Sequence, residues 1–156
     1  MADTATVPVL VEALKGEAMS ESWLKLIGSS KDPCPEHYQK PYADFSKSKR
    51  PRHIHPGDKV VLYAAGGSKR LFALAEVTSE VYDISPGGYD SKDYETYPYR
   101  VDISYKIRVP VSAGIHINEI TTPQRNLLSA VQGSYLRLKP EEFNLAKSKL
   151  QELTQK

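Results

Sequence analysis

Cysteine is almost absent: Cys34 is the only one. An intramolecular disulfide is therefore excluded, and a cysteine-built zinc site would need histidines or carboxylates to complete it. Cys34 stands between Pro33 and Pro35 with nothing arranged nearby to activate it. A reducing compartment fits this usage, so the expected location is cytoplasmic, or nuclear in a eukaryote. Long apolar runs are also missing. The longest cover residues 60–65 and 71–75, far short of the roughly 18 residues of a membrane span. No basic leader precedes an apolar core at the N-terminus, so no secretory signal is expected. There is no phosphate-binding loop and no GxGxxG, and Gly66-Gly67-Ser68-Lys69 reads better as a hairpin turn. No Ser/His/Asp order is defensible, and the acidic residues of 83–102 match no calcium loop. His53 and His55 lack a second pair with which to hold a metal. Hence neither a cofactor nor a metal is expected, and nothing in these residues makes a positive case for an enzyme.

What is present is an ordinary globular balance, 40% hydrophobic and 26% charged over 156 residues, which is the size of one domain. We expect residues 1–21 to be a leader with an extra element and 22–156 to be one domain. The net charge of +2 predicts no partner, but its distribution does. Lys47, Lys49, Arg50 and Arg52 form a basic stretch without one acid, whereas residues 83–102 are acidic. Such a split favours one positive surface.

Residues 23–27, Trp-Leu-Lys-Leu-Ile, read as a strand. Residues 31–56 carry five prolines. A connection of that length is unusual inside a domain and is often functional; a short helix around 42–46 is one reading of its middle. The clearest signal follows. A turn at His55-Pro56-Gly57-Asp58 opens an apolar run at 59–65, Gly66-Gly67 reverses it, and 70–82 returns as a longer strand. Tyr63 is expected on this hairpin, partly facing a cavity. In 99–111, Val101, Ile103, Tyr105, Ile107 and Val109 alternate on one face. Residues 115–120 read as a short strand or a connection. Thr122-Pro123 predicts a helix start, with Gly133 at its end. Residues 134–138 read as a strand. Pro140-Glu141-Glu142 starts a last helix with an apolar stripe of Phe143, Ala146, Leu150 and Leu153. The mixture reads as α+β: a mostly antiparallel curved sheet or small barrel flanked by helices.

The basic stretch lies beside Tyr38, Tyr42 and Phe45. Phosphate-neutralising charge next to stacking surfaces is what single-stranded or extruded nucleotides require; an ordinary solvated loop with its aromatics in the core is the competing reading.

Residues 56–63, Pro-Gly-Asp-Lys-Val-Val-Leu-Tyr, followed by Ala73-Leu74-Ala75-Glu76-Val77, resemble the paired strands of an EVE domain. So do the strand and Ser-containing turn at 23–30, Val109-Pro110-Val111, and the closing strand and helix start at 135–143. The resemblance runs in family order over about residues 22–152. It departs from the pattern at Ala65 and Ala73, where a small polar residue and a Gly are usual, and in the proline-rich tract, which lacks a Trp. The EVE domain is a PUA-like fold related to YTH and ASCH domains. The resemblance implies a PUA-like pseudo-barrel, and a non-catalytic module that recognises a modified, methylated base flipped into an aromatic pocket on DNA or RNA. It also implies two alternatives, an RNA-binding domain of ASCH or PUA type and a small nucleoside-processing enzyme. By match to the family, Ser29 or Ser30 would bond the base edge, Tyr63 would wall the pocket, and Trp23 would open it or serve the core. Tyr38, Tyr42 and Phe45 are stacking candidates from their place in the loop, and Lys47, Lys49, Arg50 and Arg52 would bind phosphates.

Overall fold

The computed structural model describes residues 20–28, 34–45, 50–65, 69–84, 98–120 and 135–154. These build a curled eight-stranded sheet with one α-helix on its outer side. The strands are β1 (Ser22–Ile27), β2 (Tyr42–Phe45), β3 (Lys59–Ala64), β4 (Arg70–Val77), β5 (Tyr82–Asp83), β6 (Tyr99–Arg108), β7 (Ile115–His116) and β8 (Tyr135–Arg137). The path runs β2-β6-β4-β3-β1-β8, with β5 on β6 and β7 on β4. Every pair is antiparallel except β1 with β3. The helix α1 spans Pro140–Thr154.

Alternation sorts the core into two layers. Trp23, Phe45, Val60, Leu62, Phe72, Val101 and Ile103 fill the concave side. Leu24, Val61, Tyr63, Leu71, Leu74 and Ile117 pack on the outer side with Ala146 and Leu150 of α1. This is the expected stripe of α1, with Phe143 and Leu153 at its edges. The carboxylate of Glu142 is buried and accepts from the Lys139 amide at 2.7 Å, which satisfies one donor at the helix start.

The paired runs at β3 and β4 form the expected hairpin, although the second run divides. β4 ends at Val77, and Tyr82–Asp83 pairs separately with β6. Gly57, at φ 95°, supplies the left-handed turn into β3, and its amide donates to the Val77 carbonyl at 2.8 Å. Two expectations need correction. The short helix read around 42–46 is not formed at Tyr42–Phe45: Ala43 and Phe45 alternate with Tyr42 and Asp44, and this segment pairs with β6. The β6 residues do not share one face throughout. A register shift opposite Leu74 and Ala75 leaves Ile107 on the helix side while Val101, Ile103 and Tyr105 face inward. Residues 115–120 combine β7 with a 3-10 turn at Ile117–Ile120. The helix expected from Thr122 and the reversal at Gly66-Gly67 lie outside the described residues.

Candidate nucleic-acid interface

β1 lies between β3 and β8, so both of its edges are paired. Along it, Leu24 goes to the helix layer and Trp23 and Ile27 to the concave layer. Lys25, between those two, shares their face. It is only 4% exposed. Its Nζ sits 5.0 Å from the Phe45 ring centroid and donates to the Leu26 carbonyl at 2.7 Å. Burial pulls its pKa from the usual 10.5 down to about 8, with Asp44 opposing.

Tyr135 on β8 is the cross-strand partner of Lys25. Its ring meets Phe45 edge-on at 5.1 Å and Trp23 edge-on at 5.7 Å. Burial pushes the Tyr135 phenol pKa up, and nearby Arg52 counteracts it. Three strands thus bring Trp23, Lys25, Phe45 and Tyr135 together. Tyr99, opposite Phe45 on β6, extends the aromatic surface, and the Arg50 guanidinium lies 5.1 Å over its ring.

The basic segment is fastened to this cluster by Asp58. Its carboxylate is buried and accepts three hydrogen bonds, each 3.0 Å long: from the Glu21 amide, the His55 amide and the Trp23 indole Nε1. One side chain therefore fixes the start of β1, the indole and the turn that ends the basic segment. Pro51 and Ile54 are buried while Arg50 and Arg52 are exposed. Around these residues lies an open cleft of about 470 Å³, lined also by Val81 and by the His55–Glu80 pair at 3.2 Å. The cleft is lined by the basic segment, and the rings of Trp23, Phe45 and Tyr135 do not line it; Arg52 reaches the aromatic cluster electrostatically, through Tyr135.

The other candidates scatter. Tyr38 is buried in the concave layer, edge-on to Phe72 at 5.9 Å, and burial pushes its phenol pKa well above the usual range. Tyr42 points away from Phe45 on β2 and stacks with the Arg100 guanidinium at 3.8 Å. Tyr63 sits in the helix-side layer, 5% exposed, across the sheet from Trp23 and Phe45, and does not line the cleft beside Arg50 and Arg52. Ser29, Ser30, Lys47 and Lys49 lie outside the described residues. Sequence reasoning missed Lys25, Tyr99 and Tyr135. A lone Lys inside Trp-Leu-Lys-Leu-Ile was the available signal for the first. Burial and Glu36 push the Cys34 thiol up to about 11, the opposite of activation.

The sequence model of the EVE domain matches residues 38–147. No curated protein matches. Among solved structures, the chain is similar to human THYN1 in complex with 5-methylcytosine-containing DNA, at 14% identity and TM-score 0.51, covering 83% of this chain and 97% of that one. It is similar to the YTH domain of Zygosaccharomyces rouxii MRB1 in complex with N6-methyladenosine RNA, at 12% identity and TM-score 0.51, covering 86% and 84%. An ASCH protein from Zymomonas mobilis gives 13% identity and TM-score 0.51, covering 82% and 94%. At these identities the likeness establishes a shared PUA-like fold.

Proposed function

This chain belongs to the EVE domain family, and on that premise we propose that it is a non-catalytic nucleic-acid-binding module that takes a methylated base, turned out of its strand, into the cluster of Trp23, Phe45 and Tyr135. One observation carries the reading. A single buried carboxylate, Asp58, ties the Trp23 indole of the aromatic cluster to the turn that ends the segment carrying Arg50 and Arg52. Extruding a base costs a few kcal/mol, and stacking on aromatic side chains offsets that cost. A methyl group adds apolar contact worth on the order of 1 kcal/mol, so it is felt only in a close-fitting site. The complexes of THYN1 with 5-methylcytosine DNA and of the YTH domain with N6-methyladenosine RNA support the same reading on this fold.

In this reading Arg50 and Arg52 hold phosphates, and Lys47 and Lys49 extend the same run. Ser29 and Ser30 follow β1 directly and are assigned to the base edge. Tyr38 and Tyr63 support the two core layers, and Tyr42 anchors Arg100. Phosphate contacts position and base contacts specify. Changing Arg50 and Arg52 together to Ala is therefore expected to weaken methylated and unmodified oligonucleotides alike. It should also flatten the log–log salt slope by roughly 0.7 to 0.9 per lost contact. Titrations at two salt concentrations check this; an unchanged slope contradicts the assignment.

A second reading rests on Lys25, since a buried amine with pKa near 8 is also what a nucleophile or base in an active site has. Conversion of a free nucleoside by the wild-type protein, lost in Lys25→Met, would assign that enzymatic role instead.

A further inference from the structure

On the outer side of the sheet, away from the aromatic cluster, α1 and the strands leave an open groove of about 540 Å³. Its helix wall runs from Phe143 through Lys147 to Thr154. These positions share one flank of α1, so the wall is roughly 16 Å long at about 1.5 Å per residue. Its sheet wall is Lys59 of β3, Leu74 of β4, and Lys106 with Ile107 of β6. Lys106 and Ile107 are consecutive, yet both line the groove. Tyr105 pairs with Ala75 and Ile107 with Leu74, which leaves Lys106 as the extra residue of a bulge. Strict alternation from Tyr105 would send Ile107 to the concave side. The bulge instead sets an apolar side chain and a lysine side by side on the outer face. The floor is therefore apolar, with Ile107 and Phe143 half-buried beside buried Leu74. The charge around it is one-sided. Glu76 Oε1 faces Lys59 at 3.4 Å and Lys106 at 4.0 Å, one carboxylate for two ammoniums. Lys147 has no ion pair among the described residues, and no carboxylate among them lines the groove.

We propose that this groove docks an acidic amphipathic helix of a partner protein, its apolar face on Leu74, Ile107 and Phe143 and its carboxylates toward Lys106 and Lys147. Charge complementarity sets the sign of the occupant, and the apolar floor calls for side chains that a sugar-phosphate backbone does not offer. The shape sets its form. The groove crosses the face of β4, whose two edges are taken by β3 and β6. A docked segment finds no open edge of β4 to pair with and satisfies its own backbone, as a helix laid in a groove does. A wall of roughly 16 Å matches about three helical turns. The proposal shares no residue with the base-binding reading and stands apart from it.

The probe is a fluorescently labelled peptide of about 12 residues, with Leu at helical spacing on one face and Glu elsewhere. It is compared in anisotropy titrations with counterparts carrying Gln or Lys in place of Glu. Wild type is expected to bind the Glu peptide about tenfold tighter than the Gln peptide and to leave the Lys peptide free. Lys106→Gln/Lys147→Glu is expected to weaken the Glu peptide by on the order of tenfold, with oligonucleotide binding and Trp23 emission unchanged. No binding of the Glu peptide, equal binding of the Glu and Gln peptides, or equal binding by the double variant overturns the proposal. Displacement of the peptide by an oligonucleotide, or weaker oligonucleotide binding by the variant, makes the groove a nucleic-acid surface and overturns it too. If wild type binds the Glu peptide as expected but no oligonucleotide, the base-binding reading alone falls.

Discussion

Lys25→Met is expected to make the protein more stable near neutral pH, by about 2 kcal/mol. A pKa drawn from 10.5 down to about 8 corresponds to roughly 3 kcal/mol of penalty on the buried charge, at about 1.4 kcal/mol per tenfold in proton affinity. Loss of the hydrogen bond to Leu26 and of the contact with the Phe45 ring returns about 1 kcal/mol. The sign of the pH dependence follows from proton binding. Between pH 8 and 10.5 the unfolded chain holds this proton more often than the folded one, so the penalty fades as pH rises through that window. The advantage of the Met variant is therefore full below pH 8 and small by pH 10.5. Denaturant unfolding at three pH values measures it. A destabilised Met variant would show that the ammonium is structurally satisfied by its contacts with Leu26 and Phe45.

Asp58→Ala has the opposite and larger effect, a loss of about 3 to 5 kcal/mol. Three donors lose their acceptor at once, the amides of Glu21 and His55 and the Trp23 indole. Each hydrogen bond to a charged group is worth roughly 1.5–3 kcal/mol, and neighbouring losses are not additive. Asp58→Asn keeps an acceptor oxygen but turns an N–H₂ toward a donor, so about half of the loss is expected. Trp23 is the sole tryptophan, which makes its fluorescence a direct reporter of whether the indole is still held. A change of less than about 1 kcal/mol in Asp58→Ala would mean that the basic segment is held by other contacts.

The fold was legible in the sequence wherever a local signal and the tertiary environment agree. The hairpin of β3 and β4 announces itself through Gly57 and two apolar runs, and α1 through Pro140, its acidic first turn and its stripe. β2 was not legible because four residues after Pro41 are too few to show a period. The parallel pairing of β1 with β3 aligns Trp23 with Val60, far along the chain, which no local pattern records. The same limit hid the site. Lys25 reads as a surface residue until both edges of β1 are found to be covered. Tyr63 reads as a pocket wall only by its match to the family's Tyr, and the unbroken apolar run of Val60 to Ala64 does not say which residues face which layer. Tyr135 is marked neither by a motif nor by charge; it joins the cluster only through antiparallel pairing of β8 with β1. The exposure of Arg50 and Arg52 was legible because long charged side chains in a proline-rich connection have no core to enter.

The central claim is that the concavity of Trp23, Phe45 and Tyr135 reads a methylated base while the arginines hold the strand. Its most direct measurement is a titration of the protein with methylated and unmodified oligonucleotides of one sequence, DNA and RNA in separate arms, followed by Trp23 fluorescence. Wild type, Tyr135→Ala, Phe45→Leu and the Arg50→Ala/Arg52→Ala double variant are compared at low salt. The account predicts a fluorescence change on binding and tighter binding of the methylated strand. It predicts that preference lost in Tyr135→Ala and Phe45→Leu, and kept at weaker overall affinity in the arginine variant. Equal affinity of the wild type for methylated and unmodified strands, or no binding of any strand at low salt, would contradict it.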